Sequence, residues 1–121
     1  SIGTNDLAQY TMAADRMSSD LATLTDPWQP GVLALVAATA RAGAAVGKPV
    51  GVCGEAAADP MMACVLTGFG VTSLSAAASA VTPVGAKLAT VTLQQCRDAA
   101  DAVLATATPA QAREAAMAVL G

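Results

Sequence analysis

Short apolar runs that end in glycine or small polar residues, set between stretches carrying helix start and stop signals, constrain this chain most. Val50-Gly51-Val52-Cys53 is such a run and breaks at Gly54-Glu55. Residues 71–75 form a second buried run, and residues 1–4 read as the end of a third. Strands without an apolar–polar alternation are covered on both faces, which is the habit of parallel sheets wrapped by helices. The intervening segments supply those helices. Pro30 fits a first helical turn, Val32, Leu33, Leu35, Val36 and Ala40 give an apolar stripe, and Gly47 with Lys48-Pro49 ends it. Asp59-Pro60 is an N-cap followed by a first-turn proline, opening a helix that runs to Gly68.

Residues 5–16 read as a polar loop or short helix, and residues 17–29 as a connector rich in turn formers. Thr82-Pro83 is expected to open another helix toward Leu88. Thr92-Leu-Gln-Gln95 and Thr108-Pro-Ala-Gln111 both fit a capping box, so two helices close the chain. The order is strand end, helix, strand, helix, strand, helix, helix. Three strand ends neither close a barrel nor satisfy a sheet, and the chain is expected to be a piece of something larger. Residues 1–90 are assigned to partial βα units and residues 91–121 to a C-terminal helical segment.

Composition narrows the function classes. Net charge is −3 without charge runs, and the six basic residues are scattered, which argues against nucleic acid. Residues 60–86 carry no charge, yet their Gly, Pro, Ser and Thr content reads as buried core and not as a membrane span. No secretory leader is visible at the start of this sequence. The chain has no His, and its three cysteines contain no Cys-x-x-Cys pair, which argues against zinc and a disulfide framework. A reducing cytoplasm fits.

In parallel α/β folds chemistry sits at the C-terminal ends of the strands. Asn5-Asp6, Cys53-Gly54-Glu55 and Ser75 all fall there. Asp6 offers a hard oxygen for Mg²⁺, or it caps the following helix. Asn5 either donates to an anionic oxygen or tolerates unusual turn dihedrals. Arg16 either clamps a phosphate through its planar fork or is a solvated surface residue. Cys64 and Cys96 read as small core hydrophobes. Cys53 differs, because Gly54 beside it allows a ligand close; a thiol there can give a proton to carbon or act as a nucleophile. Glu55 either supports the site or caps the next loop.

Three motifs carry a family resemblance. They are Ser-Ile-Gly-Thr-Asn-Asp-Leu-Ala-Gln-Tyr-Thr at 1–11 with Ala-Asp-Arg at 14–16, Asp-Pro-Trp-Gln-Pro at 26–30, and Gly-Val-Cys-Gly-Glu at 51–55 with Ala-Asp-Pro at 58–60. In this order and spacing the chain resembles enzyme I of the bacterial phosphoenolpyruvate:sugar phosphotransferase system. The region is also similar to pyruvate phosphate dikinase and phosphoenolpyruvate synthase; Gln9-Tyr10-Thr11 and Ala14-Asp15-Arg16 favour enzyme I.

The resemblance implies the C-terminal part of a (βα)8 TIM barrel, from about the end of strand 6 to helix 8, plus a C-terminal helix. It implies phosphoenolpyruvate and pyruvate as substrate and product, Mg²⁺ as cofactor, and dimerisation through the barrel. It further implies phosphoryl transfer to a His on a separate domain and on to the carrier protein HPr, starting sugar uptake. Carried over by position, Asp6 is a Mg²⁺ ligand, Asn5 and Arg16 hold the phosphoryl group, and Cys53 protonates the enolate carbon. Gly54 and Glu55 support them.

The sequence departs from the family pattern at Gln29, where relatives often have His, at Thr72-Ser73-Leu74-Ser75-Ala76, and at Val84-Gly85. The remaining metal carboxylate, the substrate-binding arginines and the phosphorylated His lie outside these residues, so this chain alone is expected to be inactive. A non-catalytic, self-associating fragment is the alternative from a different class; exposed sheet edges lead us to expect homo-oligomers.

Overall fold

The computed structural model describes residues 1–121. Three short strands, β1 (Ile2–Gly3), β2 (Gly51–Cys53) and β3 (Ser73–Ser75), form a parallel sheet in the order β1-β2-β3. Seven helices accompany them: α1 (Thr4–Met12), α2 (Pro30–Ala45), α3 (Glu55–Ala58), α4 (Pro60–Phe69), α5 (Ala78–Leu88), α6 (Leu93–Leu104) and α7 (Pro109–Leu120). The chain is therefore α/β, with sequential parallel strands joined by helical crossovers.

Pairing aligns Ile2, Val52 and Leu74 in one row and Gly3, Cys53 and Ser75 in the next. Successive side chains leave a strand on opposite faces. Val52 is buried against the helices, so Gly51 and Cys53 stand on the other face, which carries small and polar residues. β3 corrects the sequence reading. It is shorter than expected, and Ser73 and Ser75 are exposed because they share the open face of the sheet with Gly51 and Cys53, opposite the helices.

The core lies on the helical side and runs from Trp28 to Leu120. Helix α4 is its centre: Met62, Ala63, Cys64, Val65 and Leu66 are all fully buried, with α2, α3 and α5 packed around it together with α6 and α7. That enclosure explains why the segment carries no charge. No helix is long and apolar enough to cross a membrane. Helices α4 and α6 approach so closely that a Cβ on Gly68 would overlap the Cys96 carbonyl.

Several termini follow the sequence signals. The Asp59 carboxylate accepts from Met61 N–H at 2.9 Å and Met62 N–H at 3.3 Å, capping α4. At the end of α2, Lys48 N–H donates to the Gly43 carbonyl at 2.8 Å across Gly47. Thr92 and Gln95 form a reciprocal box, at 3.1 and 2.8 Å. The second box is displaced: Gln111 N–H donates to the Thr108 hydroxyl, but the Gln111 side chain reaches on to Ala107 N–H.

Helix α5 corrects a boundary. It starts at Ala78, so Pro83 lies inside it and not in its first turn. A proline there removes one backbone donor. The surrounding turn is exposed, so water reaches the carbonyl that is left free.

Trp28 ties three elements together. Its ring is buried, and its indole N–H donates to Asp59 Oδ2 at 3.1 Å, beside the α4 cap. Its backbone N–H donates to Asp26 Oδ1 at 2.9 Å. Arg113 of α7 grips the Asp26 carboxylate with both terminal nitrogens at 2.8 Å and lies 5.8 Å over the Trp28 ring.

Candidate functional site

The C-terminal ends of β1 and β2 each turn directly into a helix, α1 and α3, and these two turns interlock. Gly54 makes the second turn with φ 106° and ψ −164°, a combination that side chains strongly disfavour. Space is tight as well: a Cβ at Gly54 would lie 3.1 Å from Thr4 Oγ1 and 3.2 Å from Asn5 Oδ1, so both would have to give way. Thr4 is buried, and its hydroxyl donates to the Cys53 carbonyl at 3.1 Å. Asn5 Oδ1 accepts from Glu55 N–H at 3.4 Å. The Cys53 thiol donates to the Ile2 carbonyl at 3.5 Å and is half-buried.

These contacts settle some of the alternatives left open by the sequence. Asn5 and Asp6 lie in the first turn of α1, not in a loop. The N-cap of α1 is Gly3, without a side-chain cap, so Asp6 does not cap that helix. Asn5 has helical dihedrals, so it is not there to relieve a strained turn. With its oxygen engaged by Glu55 N–H, the Asn5 amide keeps its NH₂ for another acceptor. Glu55 begins α3, and its carboxylate is exposed.

Two hollows meet at Asn5 and Glu55. One, of about 440 Å³, is lined by Asn5, Gly54, Glu55, Ala58, Ser75, Ala76 and Ala77. The other, of about 300 Å³, adds Arg16, Met17 and Thr25. The structure thus brings Asn5, Arg16, Gly54, Glu55 and Ser75 together, with Cys53 paired to Ser75 in the adjoining strand row. Arg16 is exposed and takes no part in the ion pair of this chain, Arg113–Asp26. Its guanidinium is therefore available to an anion.

Asp6 stands apart. It is exposed and lines a neighbouring depression with Gln9, Tyr10, Ala13, Ala14 and Asp15. No cluster of three potential metal-binding side chains forms anywhere in the chain. A single exposed carboxylate in the first turn of α1 suits one position of a magnesium site, since that ion takes one or two carboxylates and fills the rest with phosphate and water.

The other thiols behave as the sequence reading expects. Cys64 and Cys96 are buried and free, and burial, reinforced by Cys96 nearby, pushes the Cys64 thiol up to about 11. Burial also raises the Cys96 thiol. Sequence reasoning missed Thr4 and the side chain of Gln9. Gln9 Oε1 accepts from Arg16 N–H at 3.1 Å. The only trace of Thr4 in the sequence is a hydroxyl at a strand's end beside an Asn; its contact with the Cys53 carbonyl is formed by the fold.

The family described as PEP-utilising enzyme, PEP-binding domain, matches residues 1–93. A phosphoenolpyruvate-protein phosphotransferase of Streptomyces coelicolor is 62% identical over 102 residues, covering 84% of this chain and 18% of that protein. One from Bacillus subtilis is 40% identical over 95 residues, 78% of this chain and 17% of the relative. A multiphosphoryl transfer protein of Rhodobacter capsulatus is 46% identical over 100 residues, 83% of this chain and 12% of its own length. The chain thus spans less than a fifth of each of these relatives.

Proposed function

Because the chain belongs to the PEP-utilising enzymes, within their phosphoenolpyruvate-binding domain, we propose that it is part of a phosphoenolpyruvate-protein phosphotransferase. It forms the C-terminal part of a (βα)8 barrel, with β1, β2 and β3 as strands 6, 7 and 8. The observation that carries this reading is the interlocked corner: Asn5 borders both hollows, Arg16 borders one, and Gly54 and Ser75, the chain neighbour and the strand partner of Cys53, border the other. The names of the relatives favour the phosphotransferase over the dikinase or synthase.

In this reading Asn5 Nδ2 and the Arg16 guanidinium donate to the phosphate oxygens and hold phosphoenolpyruvate for transfer. Asp6 supplies one oxygen ligand to Mg²⁺, the second carboxylate coming from outside these residues. When bound, the ion neutralises phosphate charge. The P–O bond breaks as phosphorus passes to a His on another domain, leaving an enolate. Cys53 gives its proton to the enolate methylene carbon, forming pyruvate and a thiolate that solvent reprotonates.

HPr as the next acceptor, a cytoplasmic location and homo-oligomers held by the open sheet edges belong to the same proposal. The 121 residues alone lack the phosphorylated His and are inactive. Exchange of labelled pyruvate into the phosphoenolpyruvate pool tests the assignment in the full-length enzyme. Cys53→Ala is expected to abolish exchange while phosphoenolpyruvate still binds, and undiminished exchange refutes the role of Cys53. Consumption of phosphoenolpyruvate by the isolated chain refutes its inactivity.

A further inference from the structure

Gln9 is the only side chain that holds the backbone of Arg16. Helix α1 stops at Met12 because Ala13 turns left-handed, with φ 51°, although it is not a glycine. The chain then doubles back on Gln9. The Gln9 backbone carbonyl accepts from Ala13 N–H and, at 3.0 Å, from Ala14 N–H. Its side-chain oxygen takes Arg16 N–H at 3.1 Å. The next residue is held locally, Met17 N–H donating to Asp15 Oδ1 at 2.9 Å. Residues 13–16 thus hang from the two carbonyls of one glutamine on a helix that starts at the site.

Arg16 itself is exposed and outside any ion pair, so nothing in the chain fixes its guanidinium except the position of its backbone. A long flexible side chain binds an anion more tightly when its root is fixed beforehand, because less freedom is lost on binding. We propose that Gln9 is the positioning residue for Arg16. It sets the reach of the guanidinium into the hollow shared with Asn5 and Glu55 and thereby tunes phosphate affinity. The inference rests on the reading of Arg16 as the phosphate clamp.

The test is a double-mutant cycle in the full-length enzyme, with kcat/KM for phosphoenolpyruvate as readout. Gln9→Met, which keeps length and loses the acceptor, is expected to lower kcat/KM roughly three- to tenfold, the worth of one hydrogen bond. Gln9→Glu keeps an oxygen at the same reach and is expected to retain most activity. In an Arg16→Ala background Gln9→Met is expected to cost nothing further. Equal losses in both backgrounds, or Gln9→Glu as impaired as Gln9→Met, overturn the proposal alone. An Arg16→Ala enzyme with unchanged kcat/KM overturns the phosphate reading and this proposal with it.

Discussion

Replacing Gly54 with alanine strikes the corner where β2 and α1 meet. The backbone there sits at φ 106° and ψ −164°, and holding an L-residue in such a region costs on the order of 1–3 kcal/mol. The new methyl would also press on Thr4 Oγ1 at 3.1 Å and Asn5 Oδ1 at 3.2 Å. Neither neighbour yields freely: Thr4 is buried and bonded to the Cys53 carbonyl, and Asn5 holds Glu55 N–H. Losing the Thr4 bond adds about 1 kcal/mol, for a total of roughly 2–4 kcal/mol. Urea denaturation measures this as a midpoint shift at unchanged slope. Gly85→Ala is the control, since a Cβ there meets nothing within 4 Å in an exposed helical turn. It is expected to stabilise by about 0.5–1 kcal/mol. A Gly54→Ala protein within about 0.5 kcal/mol of the parent, below the smallest strain expected here, would refute the reasoning.

Further perturbations separate packing from surface charge. Asp59→Ala removes the α4 cap and leaves the buried Trp28 N–H without its acceptor, so thermal unfolding is expected to report a loss of about 2–3 kcal/mol. Arg113→Ala breaks a partly exposed ion pair and a long ring contact and is expected to cost no more than about 1 kcal/mol in the same assay. Gly68→Ala forces α4 and α6 apart and is expected to cost more than about 2 kcal/mol by denaturant titration. The Cys64 thiol, raised from 9.0 to about 11 in the fold, stays protonated there while its unfolded counterpart ionises. Its stabilising contribution is complete below pH 9 and fades on the way to pH 11. Unfolding titrations of the parent should therefore show an alkaline loss on the order of 2 kcal/mol beyond that of Cys64→Ala.

What was legible in the sequence is what local chemistry dictates. β2 was found because an apolar run that ends in Gly-Glu has few alternatives, and α4 because Asp59-Pro60 is a cap with a distinct signature. Pro83 misled because a proline looks the same in sequence whether it opens a helix or sits in an exposed turn of one. The short helix α3 was missed since four residues after a glycine carry no periodicity. The second capping box was displaced by one residue, within the reach of a flexible Gln111 side chain. At the site, Asn5 and Cys53 are named from residue type and strand-end position and Arg16 from residue type alone, and the family resemblance supplies the choice among their alternative roles. The Thr4 and Gln9 contacts depend on how α1 folds back against β2 and on the left-handed turn at Ala13, which the sequence does not display.

Differential alkylation in the full-length enzyme tests the central claim, that Cys53 stands at the phosphoenolpyruvate site. Cys64 and Cys96 are 0% and 2% exposed and serve as internal controls beside the half-buried Cys53. With phosphoenolpyruvate and Mg²⁺ present, modification of Cys53 is expected to slow at least about tenfold while the two core thiols keep their rates, a protection that corresponds to ordinary ligand occupancy. Cys53 modified at the same rate with and without phosphoenolpyruvate and Mg²⁺ would contradict the account.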